Sequence, residues 1–426
     1  MESSPAVPAT PTTAPLPPAS ATSEEGSEAC LTLCIACQQL GARSETFIRT
    51  HIERLPMRIR VLVGKPPHTD VDSGFLYRKR MARKIMESVL GSVWEFDERR
   101  YQEQAMARYF RRNAIDVVLA EYGVTGIEVM RSCRRAGVPL VVHFHGSDAF
   151  LHRTLAENRV RYQELFRHAA AVVAVSRDMQ GQLVRLGAPR EKVHRIPYWV
   201  DAARFRGADP AHASPQFVAV GRFVEKKAPH LTLLAFAQAR RVVPQIRLTM
   251  IGDGPLLGAC HHLAAAYGVA DAVQLAGAQD HEVVLQRLLA ARAFVQHSVG
   301  ARNGDCEGTP VAVLEAQASG LPVIATRHMG IQDVVVHQQT GVLVGEQDVG
   351  GMAEAMVYLA QNPVTAARWG QAGRRRVLTV FSETHTLGRL ASLIREQVPA
   401  SGRAGHNGSM KRAKSEPRIP GIERSL

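Results

Sequence analysis

Gly304-Asp305-Cys306-Glu307-Gly308-Thr309-Pro310-Val311-Ala312-Val313-Leu314-Glu315 follows the short apolar run Ala293–His297, and its order of residue types reads as the step from a strand into a helix. Thr309 suits a helix N-cap and Pro310 a first helical position, where the missing N–H costs nothing; Gly320 suits the stop about three turns later. A helix that starts above the carboxyl end of a parallel strand points its free N–H groups and positive dipole end at whatever lies there, a setting fit for phosphate. Glu307 stands just before this helix and Glu315 inside it. The spacing lets one carboxylate meet groups on one side of a bound phosphate while the other accepts hydrogen bonds from hydroxyls on the opposite side.

Outward from this stretch the chain keeps one pattern, short β-rich apolar runs alternating with longer segments of helical period. That pattern predicts an α/β architecture with parallel sheets covered by helices. A first series of strands is expected at Cys30–Ala36, Arg60–Val63, Val117–Ala120, Leu140–His143 and Ala171–Val175, with helices such as Glu45–Leu55 and Tyr101–Arg112 between them. After the polar stretch Ala208–Pro215 a second series follows at Gln216–Val220, Arg247–Ile251, Val273–Ala276, Ala293–His297 and Pro322–Thr326. Two Rossmann-like domains joined near residue 205 are the economical reading: residues 29–205, and residues 206–383 followed by a helical segment over 384–400. Residues 1–28, rich in Pro, Ala, Ser and Thr, and the basic tail 401–426 are too poor in large apolar side chains to fold on their own.

Within the second series, Phe217-Val218-Ala219-Val220-Gly221-Arg222-Phe223-Val224-Glu225-Lys226-Lys227 delivers Arg222 and Lys227 into the loop at a strand's carboxyl end, where open α/β sheets bind ligands. Two cations placed there can neutralise a diphosphate leaving group as its charge develops. In the first series, His143-Phe144-His145-Gly146-Ser147-Asp148 closes a strand and faces the same crevice; a histidine beside glycine lets backbone approach a ligand closely.

Composition narrows the class. The 426 residues are 46% hydrophobic, enough for two cores, and carry a net charge of +13. That charge divides into −4 over residues 1–28, +11 over 29–205, +2 over 206–400 and +4 over 401–426, so an anionic partner is expected mainly for the first half. Six irregularly spaced cysteines suit a reducing compartment, and a cytoplasmic protein is expected. Apolar runs such as Gly137–Val142 and Ala169–Val175 fall well short of the roughly 20 residues that span a bilayer. Residues 75–94 nevertheless set Met81, Ile85, Val89 and Val93 at four-residue spacing, with Arg78, Lys79, Arg80, Arg83 and Lys84 crowded at one end. This reads as a basic amphipathic helix able to lie on an anionic membrane surface. Two other signals are set aside. Cys30-x3-Cys34-x2-Cys37 falls in an apolar strand, as buried structural cysteines do, and Gly252-x-Gly254 with Gly258 misses the dinucleotide fingerprint by one residue.

Taken together, the motifs resemble those of the family-4 retaining glycosyltransferases of the GT-B fold, over essentially Cys30 to Val398. The resemblance rests on Glu307 and Glu315 in an E-x7-E pattern, on Gly221-Arg222 with Lys227, and on Ile251-Gly252-Asp253-Gly254-Pro255. It rests also on His145-Gly146-x-Asp148 and on Gly320-Leu321-Pro322-Val323-Ile324-Ala325-Thr326 with Gly330-Ile331. Ser44-Glu45-Thr46-Phe47-Ile48 is similar to the branch that builds bacterial exopolysaccharides of the colanic-acid type. Gln38-Gln39-Leu40-Gly41-Ala42 carries one glycine where many members have a glycine-rich loop, and Trp199 replaces the usual glycine in Pro197-Tyr198-Trp199-Val200-Asp201.

The resemblance implies a hexose moved, with retention and without metal or other cofactor, from a nucleotide-diphosphate sugar to a glycan or polyprenyl-linked acceptor. The first domain would serve the acceptor and the second the donor, facing each other across a cleft, with the helix Thr384–Gln397 crossing back to the first domain. It further implies Glu307 beside the transferred sugar, Glu315 on the nucleotide ribose, Gly221, Arg222 and Lys227 at the diphosphate, backbone amides near Gly308, Thr309, Pro310 and Val311 completing that cradle, and His145 bordering the sugar. A nucleotide-sugar 2-epimerase of the same fold is the alternative. A nucleic-acid-binding protein, suggested by charge alone, lacks interleaved aromatics or a groove-reading motif, and no nucleic-acid partner is expected. With Glu307 placed in a surface crevice, its replacement by alanine is expected to stop transfer and leave stability nearly unchanged.

Overall fold

The computed structural model describes residues 31–40, 46–76 and 97–399, which form two helix-flanked sheets. The first comprises β1 (Thr32–Cys37), β2 (Arg58–Gly64), β3 (Pro67–Asp70), β4 (Gly74–Phe75), β5 (Val117–Glu121), β6 (Leu140–Phe144), β7 (Ala171–Ala174) and β8 (Val193–Arg195). The second comprises β9 (Gln216–Val220), β10 (Arg247–Ile251), β11 (Val273–Leu275), β12 (Ala293–Gln296), β13 (Val323–Thr326) and β14 (Gly341–Val344). Their orders are β4-β3-β2-β1-β5-β6-β7-β8 and β11-β10-β9-β12-β13-β14. Every pairing is parallel except the hairpin β3–β4 and its junction with β2.

The central strands are apolar on both faces because helices cover both. All six residues of β1 and all five of β5 and of β6 are buried, the signature of a parallel sheet sandwiched between helices. In each sheet the order reverses beside the first strand, between β1 and β5 and between β9 and β12, and the crevice beyond the carboxyl ends of such a pair is where doubly wound sheets place ligands. Cys34 and Cys37 are buried in β1, and burial pushes the Cys34 thiol well above its ordinary value, as expected of inert structural cysteines. Cys30 lies outside the described residues.

The final helix, Glu383–Glu396, begins one residue earlier than expected, at an N-cap whose Ser382 side chain accepts from the His385 N–H. It returns to the first domain. Leu387, Leu390, Ala391, Leu393 and Ile394 pack into one apolar cluster with Leu33 and Ile35 of β1, Val117 and Leu119 of β5, Val141 of β6 and Val173 of β7. Burying each such Leu or Ile contributes roughly 1.5–3 kcal/mol, which ties the chain's end to its beginning.

The expected helix over 75–94 does not begin where it was placed, since Gly74 and Phe75 form β4; residues 77–96, with its whole basic cluster, lie outside the described residues. So do residues 1–28, 401–426 and Gly41 to Glu45. No helix among the described residues is long and apolar enough to cross a membrane.

Candidate active site

The second sheet's reversal point holds the site. The strand β9 ends into Gly221, Arg222 and Lys227, the loop after β12 carries Glu307, and the two meet: Lys227 Nζ stands 3.0 Å from Glu307 Oε2. Gly252, at the end of β10, makes the close approach beneath them possible. Its φ is +144°, and a Cβ there would lie 1.9 Å from the Gly221 carbonyl oxygen. Arg222 is exposed beside this pair.

Glu307 is only 5% exposed. Burial alone would raise its carboxyl, but Lys227 and Lys226, with the Lys227 hydrogen bond, hold it below the ordinary carboxylate range. Lys227 is itself held below the usual lysine value, first by burial and then by its cationic neighbours Lys226 and Arg222, with Glu307 opposing. Glu307 is therefore no solvated crevice residue, and the expectation that its loss leaves stability untouched is corrected: an alanine there strands a buried ammonium. One further feature sets it apart, since Glu307 Oε1 is buried and has no hydrogen-bond partner. A fully desolvated carboxylate oxygen without a donor is costly, so a ligand hydroxyl delivered there gains strongly.

The Glu307 loop is pinned from both sides. Its backbone N–H donates to Nε2 of buried His328, which leaves Nδ1 as the protonated nitrogen, 2.6 Å from Glu346 Oε1. Lys226 Nζ donates to Asp305 at 2.9 Å and to the Cys306 carbonyl at 3.1 Å. Gly308 packs against the first domain, where a Cβ would lie 2.8 Å from the His145 carbonyl oxygen and 3.0 Å from Val175 Cγ2.

Thr309 and Pro310 differ from expectation. The helix runs Val311–Ser319, Pro310 is its extended N-cap residue, and Thr309 does not cap it; the Thr309 hydroxyl donates across the cleft to the Val175 carbonyl. Proline at the boundary keeps φ near −75° while its ψ of 107° turns the chain out of the helix, freeing the threonine for the inter-domain bond. Gly320 does end the helix, at φ +97°. Glu315 is buried in this helix, with Oε1 3.3 Å from His281 Nε2.

His145 lies across the cleft with its ring turned into the first domain. Nε2 is 2.7 Å from Glu121 Oε2, Nδ1 is 2.8 Å from the Tyr198 hydroxyl, and the ring stacks on Phe47 at 4.1 Å. Both ring nitrogens are engaged, so it is the His145–Gly146 backbone that comes up to Cys306 and Gly308. Asp148 fixes that backbone by accepting from the N–H groups of His145, Gly146 and Gly123. Beneath lies Glu121, fully buried, paired also with His51 at 2.7 Å. Burial alone would raise its carboxyl, but His51 and the hydrogen bonds from His145 and His51 hold it well below the ordinary range.

The structure thus brings together Gly221, Arg222, Lys227, Glu307 and Gly308, sets Thr309, Pro310 and Val311 at the adjoining helix start, and lays the His145 backbone against them. Glu315 sits one helical stretch away with His281. Sequence reasoning missed Lys226, His328, Glu346, His281 and Glu121. Lys226 had a signal in the tandem Lys226-Lys227; the others touch the site only through contacts distant in sequence.

Comparison with known proteins bears on the family and the fold. Residues 44–204 match the family model described as Glycosyltransferase Family 4, and residues 204–376 the one described as Glycosyl transferases group 1. The chain is 32% identical over 251 residues to the colanic acid biosynthesis glycosyltransferase WcaL of Escherichia coli K12, covering 58% of this chain and 62% of that protein. It is 28% identical over 285 residues to the amylovoran biosynthesis glycosyltransferase AmsK of Erwinia amylovora, covering 66% and 70%. Among solved structures, HepE of Anabaena in complex with UDP superposes with a TM-score of 0.66 at 16% identity over 86% of this chain and all of that one. Sucrose-phosphate synthase of Thermosynechococcus elongatus superposes with 0.65 at 18% identity over 86% and 98%. The family models and the sequence relatives are glycosyltransferases and favour transfer over epimerisation, while the solved structures show the fold. With two facing Rossmann-like domains and a helix returning from the second to the first, the chain belongs to the GT-B glycosyltransferases, family 4 by its first half and group 1 by its second.

Proposed function

We propose that the protein transfers a hexosyl group from a nucleotide-diphosphate sugar to a glycan or polyprenyl-linked acceptor in exopolysaccharide or cell-surface glycan synthesis, with retention of configuration and with no metal or other cofactor in the transfer step. The observation that carries this reading is the buried, unpartnered Oε1 of Glu307, an acceptor without a donor on a carboxylate whose other oxygen is paired with the Lys227 cation. Relatives named for colanic acid and amylovoran synthesis support the pathway, and the UDP named with HepE supports a nucleotide-diphosphate donor.

In this reading the donor diphosphate lies between Arg222, Lys227 and the amides around Gly308, Thr309 and Val311, while Glu315 accepts from the ribose. Lys227 exchanges its Glu307 partner for a phosphate oxygen, and Glu307 is left to accept from a sugar hydroxyl. The anomeric carbon–oxygen bond to the diphosphate breaks as the acceptor oxygen bonds on the same face, and the acceptor proton passes to the leaving phosphate oxygen. Charge grows on that phosphate toward the transition state, so Arg222 and Lys227 act most strongly there. The His145 backbone closes the sugar's other side.

The test is a thermal-shift screen of the full chain against nucleoside diphosphates and nucleotide sugars, followed by NMR of the product's anomeric centre. A ligand at 100 times its Kd stabilises by about 2.7 kcal/mol. A shift with at least one nucleotide sugar and a product of retained configuration are expected; no shift with any of them, or an inverted product, overturns the reading.

A further inference from the structure

The first sheet has its own polar centre at its own reversal point, and the transfer chemistry leaves most of it unused. Glu121 ends β5, His143 lies in β6, and His51 comes from the helix Thr46–Arg54 that follows β1. All three are buried, and one donor atom from each lies within 4.8 Å of the other two. Glu121 carries its charge where neither lysine nor arginine pairs with it among the described residues; its ion-pair partners are His51, His143 and His145. His143 is more telling. At 1% exposure both of its ring nitrogens lack hydrogen-bond partners, and Nδ1 is 3.9 Å from Glu121 Oε2, too far for a hydrogen bond. Buried imidazoles usually satisfy at least one nitrogen.

We propose that His51, Glu121 and His143 bind a divalent late first-row cation of the zinc class, as a structural centre of the first domain separate from the transfer step. Two imidazoles and a carboxylate form a donor set suited to such an ion, whereas magnesium and calcium prefer oxygen alone. The outer partners are in place. His145 Nε2 holds the second carboxylate oxygen and the Tyr198 hydroxyl in turn holds His145 Nδ1, the arrangement that orients ligands in metal sites. A cavity of about 30 Å³ lined by Phe47, His51, His143, Tyr198, Trp199 and Thr386 adjoins the trio and has room for a water as fourth ligand. Coordination forms bonds from the cation to His51 Nδ1, a Glu121 oxygen and one His143 nitrogen. The hydrogen that His51 Nδ1 shares with Glu121 moves to His51 Nε2, so a neutral imidazole ligates and the proton count is unchanged.

The experiment titrates full-length, chelator-treated protein with zinc sulfate by calorimetry in two buffers of different ionisation enthalpy, and with cobalt chloride by visible absorption. One saturable equivalent per chain is expected, with a binding enthalpy that does not change with the buffer and an intense tetrahedral cobalt spectrum. His51→Gln and His143→Gln each lower zinc affinity at least tenfold. The exposed pair His261 and His262 supplies the control, because H261Q/H262Q leaves the equivalent in place if the buried trio is the site. If the ligand variants fail to fold, Tyr198→Phe, which loosens only an outer partner, lowers affinity about 10–100-fold. Absence of a saturable equivalent, its loss in H261Q/H262Q, or its persistence at full affinity in His143→Gln or Tyr198→Phe overturns the proposal.

Discussion

Glu307 and Lys227 form a buried pair whose members need each other before any donor arrives. Removing one member of such a pair leaves an uncompensated charge and costs about 3–5 kcal/mol when burial is complete. Lys227 keeps a little solvent contact, so Glu307→Ala is expected near the lower end, about 3 kcal/mol by urea unfolding, with transfer below a tenth of wild type. The sign with pH follows from the directions of the shifts. Glu307 is depressed in the folded state, so its contribution is complete above the unfolded carboxylate pKa of about 4.3 and disappears as pH falls through the lower folded value. The stability gap between wild type and Glu307→Gln should therefore be flat from about pH 5 upward through neutrality and narrow in acid. Lys227, depressed as well, works oppositely at the alkaline end: the cost of burying its charge lessens as pH rises through its folded value. A gap that widens in acid would contradict the pairing. Arg222→Ala and Lys227→Ala should each lower kcat strongly, with the double variant far from the product of the two losses, as the proposed placement of both against one diphosphate requires. Strict multiplicativity, measured as kcat ratios with a saturating donor, would separate their roles.

At the scale of elements, the strand-to-helix stretch 304–320 was legible because its grammar is local: a stop glycine, a proline at the boundary and two glutamates eight residues apart. The parallel series was legible for the same reason, each strand being a self-contained apolar run. What the sequence concealed was non-local. The strand β8 (Val193–Arg195) is three residues long and mixed in polarity, and β14 owes its place to pairing with β13. The hairpin β3–β4 exists by docking on β2. Thr309 looked like a cap because threonine beside proline usually is one, and only the Val175 carbonyl of the other domain explains its actual partner. Likewise nothing local reveals why Gly330 is a glycine. Its φ is ordinary, at −62°, but a Cβ there would lie 1.7 Å from the Gly308 carbonyl oxygen. Gly330→Ala should push the Glu307–Gly308 loop out of register. The expected outcome is a loss of about 1–3 kcal/mol in stability, as for other overpacked sites, and a kcat about 100-fold lower from misplacement on the order of 1 Å. Steady-state kinetics showing an unchanged kcat would mean that the loop position is not what sets the rate.

At the scale of the molecule the two halves differ in charge more than in fold: +11 over residues 29–205 against +2 over 206–400. Five of those cations, Arg78, Lys79, Arg80, Arg83 and Lys84, cluster within seven residues, and Met81, Ile85, Val89 and Val93 follow a four-residue rhythm through the same stretch. The hairpin β3–β4, which precedes it in the chain, ends with Phe75 exposed at the edge of the first sheet. An acceptor tethered to polyprenyl phosphate is confined to a membrane surface. A transferase that docks there meets it at a far higher local concentration than by free encounter. Cations near an anionic leaflet contribute about 1 kcal/mol each, enough in a group of five for peripheral and salt-sensitive binding without any spanning segment. The expected result is co-sedimentation with vesicles containing phosphatidylglycerol at low ionic strength, release at high salt, and marked weakening when all five residues are changed to glutamine. Because the cluster lies away from Glu307 and Lys227 in the chain, the fivefold variant should keep its turnover on a water-soluble acceptor analogue. Vesicle binding that survives the five substitutions, or turnover on the soluble analogue that falls with them, would break the link between the basic stretch and acceptor capture at a membrane.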